Sequence, residues 1–502
     1  MATRLFAAID VGSFELELGI YEVTAKNELR QVDHLRHMIP LGKDTYAAGK
    51  ISYELVDEMC RVLNEFSKIM KSYQVSEYRA YATTAMREAR NSEIILDQIK
   101  VRTGIDVKVI SNSEQRFLSY KAIAVKEAEF QRIIQKGTAI ADVSFGSLQI
   151  SLFDKDRLVT TNNMQLGVLR LREILSGLHA DSRTEQSVVT EMVNNELYAF
   201  KKMYLRDRDI RNLIGIGEPV LYLARDAVGG RKSDRISAED FMRFYDRLAG
   251  MSISQIEEVF GVNEGYARLL IPSAIIYKQI LELTGAEMLW IPGIRLCDGA
   301  AAEYAESIGR YKVAHNFDED ILSASRNMAK RYRCDVSHSQ CIEKYVLDLF
   351  DATKKYHGLG KRERLLLQIA TILHDCGKFI SLRDSSNCGY SIIMATEIIG
   401  LSHMEREMIA NVVRYNVDSF DYHNNSILVA KLTAMLRLAN AMDRSHRQKL
   451  SDCKMNVKAG KLVISTSYPG DLSLEKMTVE SKADFFEELF GIRPVVKQKR
   501  RV

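Results

Sequence analysis

The sequence predicts an α/β protein with two similar lobes around a cleft, followed by a helical domain and a small α/β cap. Three observations lead to that class. A strand–turn–strand unit whose first strand ends in Asp occurs twice, at residues 5–23 and 138–154. Short strands and amphipathic helices alternate between and after the two copies, the signature of α/β folds. From about residue 306 the pattern turns helical. At roughly 150 residues per domain, 502 residues accommodate such a multidomain chain.

In the first unit an apolar run ends at Asp10, Gly12-Ser13 forms a turn, and Phe14, Leu16, Leu18 and Ile20 then alternate with Glu15, Glu17 and Gly19. Period-two alternation marks a half-buried strand, so this is a hairpin. The second unit repeats the design, with Asp142, a Gly146-Ser147 turn, and Leu148, Ile150 and Leu152 alternating with Gln149 and Ser151. Turn amides free of side-chain bulk can point at an anion, and a carboxylate beside them can hold a divalent cation. Between the copies, residues 56–72 carry apolar residues at helical spacing, residues 79–91 give a strand and a Thr-rich helix start, and residues 107–123 give strand, loop and helix. The boundaries are placed at 1–125 and 126–305 for the two lobes, 306–450 for the helical domain and 451–502 for the cap.

Composition narrows the function classes. Lys plus Arg is 70 and Asp plus Glu is 66, a net +4, too small a surplus to argue for a nucleic-acid binder. Six Pro and 28 Gly exclude collagen-like and extensively disordered readings. The seven Cys (60, 297, 334, 341, 376, 388, 453) form no CxxC pair and read as reduced thiols. The short apolar run at the amino terminus lacks a signal-peptide cleavage pattern, and no stretch nears 18 apolar residues. A soluble cytoplasmic protein is expected.

Five blocks, in order, resemble the exopolyphosphatase and guanosine-pentaphosphate phosphohydrolase (Ppx/GppA) family, a branch of the actin-like (RNase H-like) superfold: AIDVGS, ATTAMREARN, VISNSEQRFLSY, DVSFGSLQI and LGVLRLRE. The resemblance covers roughly residues 5–305. It implies phosphate binding by Asp10, Gly12, Ser13, Arg87, Gly146 and Ser147, a metal at Asp142, and a catalytic glutamate in the acidic segment. It also implies Mg²⁺ or Mn²⁺ as cofactor, polyphosphate or guanosine penta- or tetraphosphate as ligand, and a homodimer.

The chain departs from the family where the chemistry lies. The family's first loop reads Asp-x-Gly-Ser-Asn-Ser, and here Phe14 and Glu15 replace the last two residues. A carboxylate near polyphosphate is repulsive unless a metal intervenes. Gln115 falls at the catalytic glutamate, with Glu114 beside it, and a carboxamide cannot act as general base. The second loop has Ser144, Phe145 and Gln149 where the family has Gly, Gly and Glu, and Pro219 removes an amide in a later turn. Two readings follow: Glu114 and Asp142 hold Mg²⁺ and activate water in a shifted register, or the cleft binds a ligand without hydrolysing it.

In the helical half, His338, His374-Asp375 and Asp443 sit at or beside apolar stripes on three separate helices. Unpaired carboxylates are costly to bury, and imidazoles with carboxylates suit a divalent metal. LQIATILHDCGKFI and LRLANAMDRS resemble the His-Asp and final Asp blocks of HD-domain phosphohydrolases, which implies His338, His374, Asp375 and Asp443 as metal ligands. Lys378 and Arg414 are the candidate phosphate contacts. Residues 454–496 read as a strand pair around Ala459-Gly460 followed by a helix, and Lys497 to Arg501 form a basic tail. The sequence thus points to a phosphohydrolase releasing terminal phosphate from polyphosphate or guanosine pentaphosphate with a degenerate first site. Two alternatives stand beside it: a sensor without turnover, and a hydrolase acting through the HD-type site.

Overall fold

The computed structural model describes residues 4–24, 28–175, 182–205, 208–227, 234–312 and 315–498. Lys499, Arg500 and Arg501 of the basic tail lie outside these residues. The chain divides into two compact units, Met1–Phe317 and Asp318–Val502.

The N-terminal unit holds two mixed sheets. The first contains β1 (Arg4–Val11), β2 (Glu15–Val23), β3 (Leu29–Met38), β4 (Glu77–Ala82) and β5 (Val107–Val109), in the order β3-β2-β1-β4-β5. The second contains β6 (Thr138–Val143), β7 (Leu148–Asp154), β8 (Arg157–Met164), β9 (Asn212–Ile216), β10 (Arg235–Ser237) and β11 (Met288–Trp290), in the order β10-β11-β9-β6-β7-β8. In each, an antiparallel three-strand meander continues into parallel strands, so the two-lobed α/β expectation holds.

The hairpins are not half-buried, as alternation alone suggests. Ala7, Ile9, Leu16, Leu18 and Ile20 face one apolar cluster, while Phe6, Ala8, Tyr21 and Val23 face another built with the helix Leu296–Ser307. A sheet covered on both faces buries its polar residues too, and Glu15, Glu17 and Gln149 are each under 5% exposed. The covering helix fits because it is lined by small residues. A Cβ on its Gly299 would lie 2.0 Å from the Leu118 carbonyl oxygen in the helix Asn112–Ala124.

The C-terminal unit is largely helical. Its helices include Val336–Ala352, Lys361–Leu373, His403–Tyr415 and Ile427–Met442, each with a buried apolar stripe. A three-stranded sheet, β12 (Lys454–Lys458), β13 (Lys461–Thr466) and β14 (Arg493–Gln498), completes it. The sequence reading found the first two strands and missed β14, whose alternation is interrupted by charge. The helix between β13 and β14 runs from Ser473 to Phe490 and packs on Ile427–Met442, with the Thr478 hydroxyl donating to the Ala441 carbonyl at 2.8 Å. Among the described residues, no helix is long and apolar enough to cross a membrane.

Candidate functional site

The N-terminal unit carries one candidate site, where the two hairpins meet. Asp10 pairs across its hairpin with Glu17, and Asp142 pairs across its own with Gln149. Both aspartates line a cavity of about 90 Å³ together with Gly12, Ser13, Gly146, Gln115 and Arg295. Ser147 is buried but is not in the cavity wall.

One amide in each turn is bonded within that turn. The Gly12 N–H donates to the Glu15 carbonyl at 3.0 Å, and the Ser144 N–H donates to the Ser147 carbonyl at 3.0 Å. The Ser13 hydroxyl accepts from the Ala85 N–H and from the Tyr46 hydroxyl. At the substituted loop positions, the Phe14 and Phe145 rings pack 5.0 Å apart, and both contact Tyr266. Aromatic packing therefore joins the two loops where the sequence comparison expects polar or glycine residues.

The cavity is acidic. Besides Asp10 and Asp142, it is lined by Glu15, Glu17 and Glu218, the last at the start of the helix Glu218–Ala227. Arg36 of β3 bridges Glu15 at 2.5 Å and Glu218 at 2.8 Å, and Arg295 pairs with Glu218 at 3.3 Å. Burial, reinforced by the charges of Glu17 and Glu15, pushes Asp10 well above the usual carboxylate range. Burial and the Glu17 and Glu218 charges push Glu15 up to about 8. Burial opposes ionisation of Glu17 as well, but the His34 hydrogen bond and the charges of His34, Arg295 and Arg36 hold it below its ordinary value. Burial raises Asp142, against the Ser144 hydroxyl that donates to it at 2.6 Å.

Two expectations need correction. Glu114 does not reach the cavity. It closes a capping box, accepting from the Ser111 N–H at 2.9 Å, and it pairs with Lys108 at 2.7 Å. The Ser-x-x-Glu spacing of Ser111 and Glu114 is a readable sign of that role. Arg87, in the helix Thr84–Glu88, is committed to the Ile110 carbonyl, the Thr84 hydroxyl and the Asn112 side chain, tying its helix to the start of the helix Asn112–Ala124, and it does not line the cavity. The sequence reading also missed Arg36 and Arg295, which come from elements with no local motif.

The C-terminal unit brings His338, His374, Asp375 and Asp443 together. His338 lies in the first turn of Val336–Ala352, His374 and Asp375 follow Lys361–Leu373, and Asp443 caps Ile427–Met442. His338, His374 and Asp375 each offer a ligand atom within 4.8 Å of the others. Asp443 is placed differently from the expectation that it ligates. Its Oδ2 lies 2.8 Å from His338 Nδ1, and Gln448 donates to both its oxygens, so it orients the imidazole from behind. His446 stacks on His338 with ring centroids 3.7 Å apart.

Hydrogen bonding fixes the tautomers. His374 Nδ1 lies 2.8 Å from the Thr371 carbonyl, which can only accept, so the proton sits on Nδ1. The Asp443 carboxylate fixes His338 in the same way. Both Nε2 atoms are buried and have no hydrogen-bond partner among the described residues. Burial pushes His374 down to about 4, against the opposing Asp375 charge, so its Nε2 carries a lone pair at neutral pH. That lone pair faces Asp375 Oδ1 at 3.2 Å. Burial disfavours the Asp375 carboxylate, but His374 and Lys378 hold it below its ordinary value, with Lys378 Nζ at 2.8 Å. Arg414 packs its guanidinium over Tyr390 and Tyr415.

Residues 20–303 match the Ppx/GppA phosphatase family, and residues 322–480 match Ppx/GppA phosphatase, domain III. The chain belongs to the Ppx/GppA phosphatase family. An exopolyphosphatase from Cytophaga hutchinsonii is similar in structure, with a TM-score of 0.53 at 19% identity, covering 62% of this chain and 99% of that one. The Aquifex aeolicus Ppx/GppA family member gives a TM-score of 0.51 at 19% identity, covering 61% of this chain and 99% of that one. These likenesses establish the actin-like fold of the two lobes. A bifunctional 3-dehydroquinate synthase/phosphatase from Fusobacterium nucleatum is 21% identical over 332 residues, 60% of this chain. The match spans 47% of that relative, about half its length.

Proposed function

We propose that this Ppx/GppA family member is a metal-dependent phosphohydrolase, acting on inorganic polyphosphate or guanosine pentaphosphate, with its water-activating centre at His338, His374 and Asp375. The observation that carries this reading is the contact between His374 Nε2 and Asp375 Oδ1 at 3.2 Å. Two groups that can only accept face each other in a buried place, which a cation between them would relieve. The orphaned His338 Nε2 is the third donor to the same point. Two imidazoles and a carboxylate suit Mn²⁺, Fe²⁺, Zn²⁺ or Mg²⁺, as in the HD-type arrangement.

A bound divalent ion would supply Lewis-acid polarisation of a phosphoryl group and would acidify water beside it. Asp443 holds the His338 ring so that Nε2 faces inward, and the Thr371 carbonyl does the same for His374. Lys378, about half exposed, keeps its ammonium beside Asp375, where it can meet an incoming phosphate. The family and its exopolyphosphatase relative support the choice of substrate class.

A second reading places hydrolysis in the interlobe cleft, favoured by Asp10 and Asp142 lining one cavity. Phosphate release with Mn²⁺ separates the two. Loss in His374→Ala/Asp375→Ala with retention in Asp142→Ala supports the first reading; the reverse supports the second.

A further inference from the structure

Resting on that reading of the C-terminal centre, we infer that Phe379 and Tyr332 form an aromatic shelf beside it. The shelf receives the base of a nucleoside phosphate, so that the centre favours nucleotides over base-free polyphosphate.

Phe379 directly follows Lys378, whose Nζ lies 2.8 Å from Asp375 Oδ2, and both belong to the short turn Cys376–Phe379. The Phe379 ring meets the Tyr332 ring edge to face, with centroids 5.8 Å apart and planes at 78°. Tyr332 comes from the segment that leads into the His338 helix, three residues before its cap, Asp335. Between them, the Cys334 thiol lies within the fields of Asp375 and Lys378, so this segment borders the centre as well. The Arg331 guanidinium packs over the Tyr332 ring at 5.7 Å. The shelf thus joins two segments that deliver the clustered imidazoles and carboxylate, and the ring contact holds Phe379 in place.

The rest of the shelf is open. Phe379 is 50% exposed, Ile380 62% and Leu382 83%. Single exposed apolar residues are ordinary, but three large ones within four positions make a contiguous patch that favours an apolar occupant. Charge narrows the occupant further. The C-terminal unit carries the chain's positive surplus, and cations flank the patch: Lys378 beside Phe379, Arg333 beside Tyr332 and Arg383 beside Leu382. Neither Arg333 nor Arg383 forms an ion pair among the described residues. A purely apolar partner would leave these cations without counter-charge, and inorganic polyphosphate would leave the rings bare. A nucleoside phosphate satisfies both, its base on Phe379 and its phosphates toward Lys378 and the cluster of His338, His374 and Asp375. Every base has a π-face, so the shelf selects for the presence of a base rather than for one base over another.

The test measures binding to the full-length chain with Mn²⁺, using two probes that resist hydrolysis. One is β,γ-methylene guanosine triphosphate; the other is methylenediphosphonate, which lacks the base. Phe379→Ala should weaken the nucleotide analogue about tenfold by calorimetry, as the loss of one base stack would, and leave methylenediphosphonate within about twofold. Phe379→Tyr should restore nucleotide affinity. In Phe379→Trp, the nucleotide analogue should quench the introduced indole and methylenediphosphonate should not, against the constant signal of Trp290 in the N-terminal unit. Unchanged nucleotide affinity in Phe379→Ala, or equal weakening of both probes, would overturn the inference. So would a Phe379→Ala chain that keeps its nucleotide affinity and loses self-association in sedimentation, which would make the patch a subunit contact. These readouts are of binding, so they stand apart from the loss of hydrolysis in His374→Ala/Asp375→Ala that tests the centre itself.

Discussion

Replacing Glu15 by Gln should flatten the pH dependence of the N-terminal unit's stability. In the folded protein the Glu15 carboxyl is 4% exposed and titrates at about 8, because burial and the Glu17 and Glu218 charges outweigh Arg36. Its ordinary value is 4.5. A carboxyl with a raised folded-state pKa binds its proton more tightly in the folded than in the unfolded chain. Its contribution is therefore fully present below pH 4.5 and is lost as pH rises through 8. One retained proton gives a slope of about 1.4 kcal/mol per pH unit, or roughly 3 kcal/mol between pH 5 and 7.5. Asp10, raised for the same reason, steepens the wild-type slope. Trp290, the chain's single tryptophan, is buried in β11, so its fluorescence during urea unfolding in chelator reports on this unit. Wild-type stability should fall from pH 5 to 7.5, and Glu15→Gln should remove about one proton's worth of that fall. Equal slopes in the two proteins, or a wild type that gains stability over this range, would refute the reasoning.

Other outcomes follow from the same geometry. Phe145→Ala removes a nearly buried ring from the cluster with Phe14 and Tyr266 and should cost about 3–5 kcal/mol, read by urea unfolding. Asp443→Asn weakens the acceptor that orients His338 and should lower Mn²⁺ affinity at the C-terminal centre roughly 10–100-fold by calorimetry. Gln115→Glu places a further carboxylate in an already acidic cavity, so it should leave polyphosphate hydrolysis unrestored in a His374→Ala/Asp375→Ala background. Gly299→Ala drives a methyl into the Leu118 carbonyl and should lower the unfolding midpoint.

Local pattern made much of this legible. The repeated Asp-turn-alternation units stand out because β-strand periodicity is short-range, and Asp10 and Asp142 do line one cavity. His338, His374 and Asp375 were readable because each sits beside an apolar helical stripe, and the fold brings them within 4.8 Å. What the pattern could not supply was long-range. The burial of Glu15 and Glu17 depends on a second face being covered, which needs a helix some 280 residues downstream. Arg36 and Arg295 meet the glutamates only through tertiary packing. The family motif points to Glu114 only through its neighbour's place, whereas its spacing from Ser111 specifies a helix cap. Asp443 lies beside its fellow residues as expected, but the choice between ligating and orienting rests on a 2.8 Å hydrogen bond to His338 Nδ1.

The central claim is that phosphate release depends on the two orphaned imidazole nitrogens and Asp375. Phosphate release from inorganic polyphosphate and guanosine pentaphosphate with Mn²⁺, compared among wild type, His374→Ala/Asp375→Ala and Asp142→Ala, tests it most directly. The account predicts hydrolysis that disappears in the double variant and persists in Asp142→Ala. Hydrolysis retained by the double variant and abolished by Asp142→Ala would contradict it.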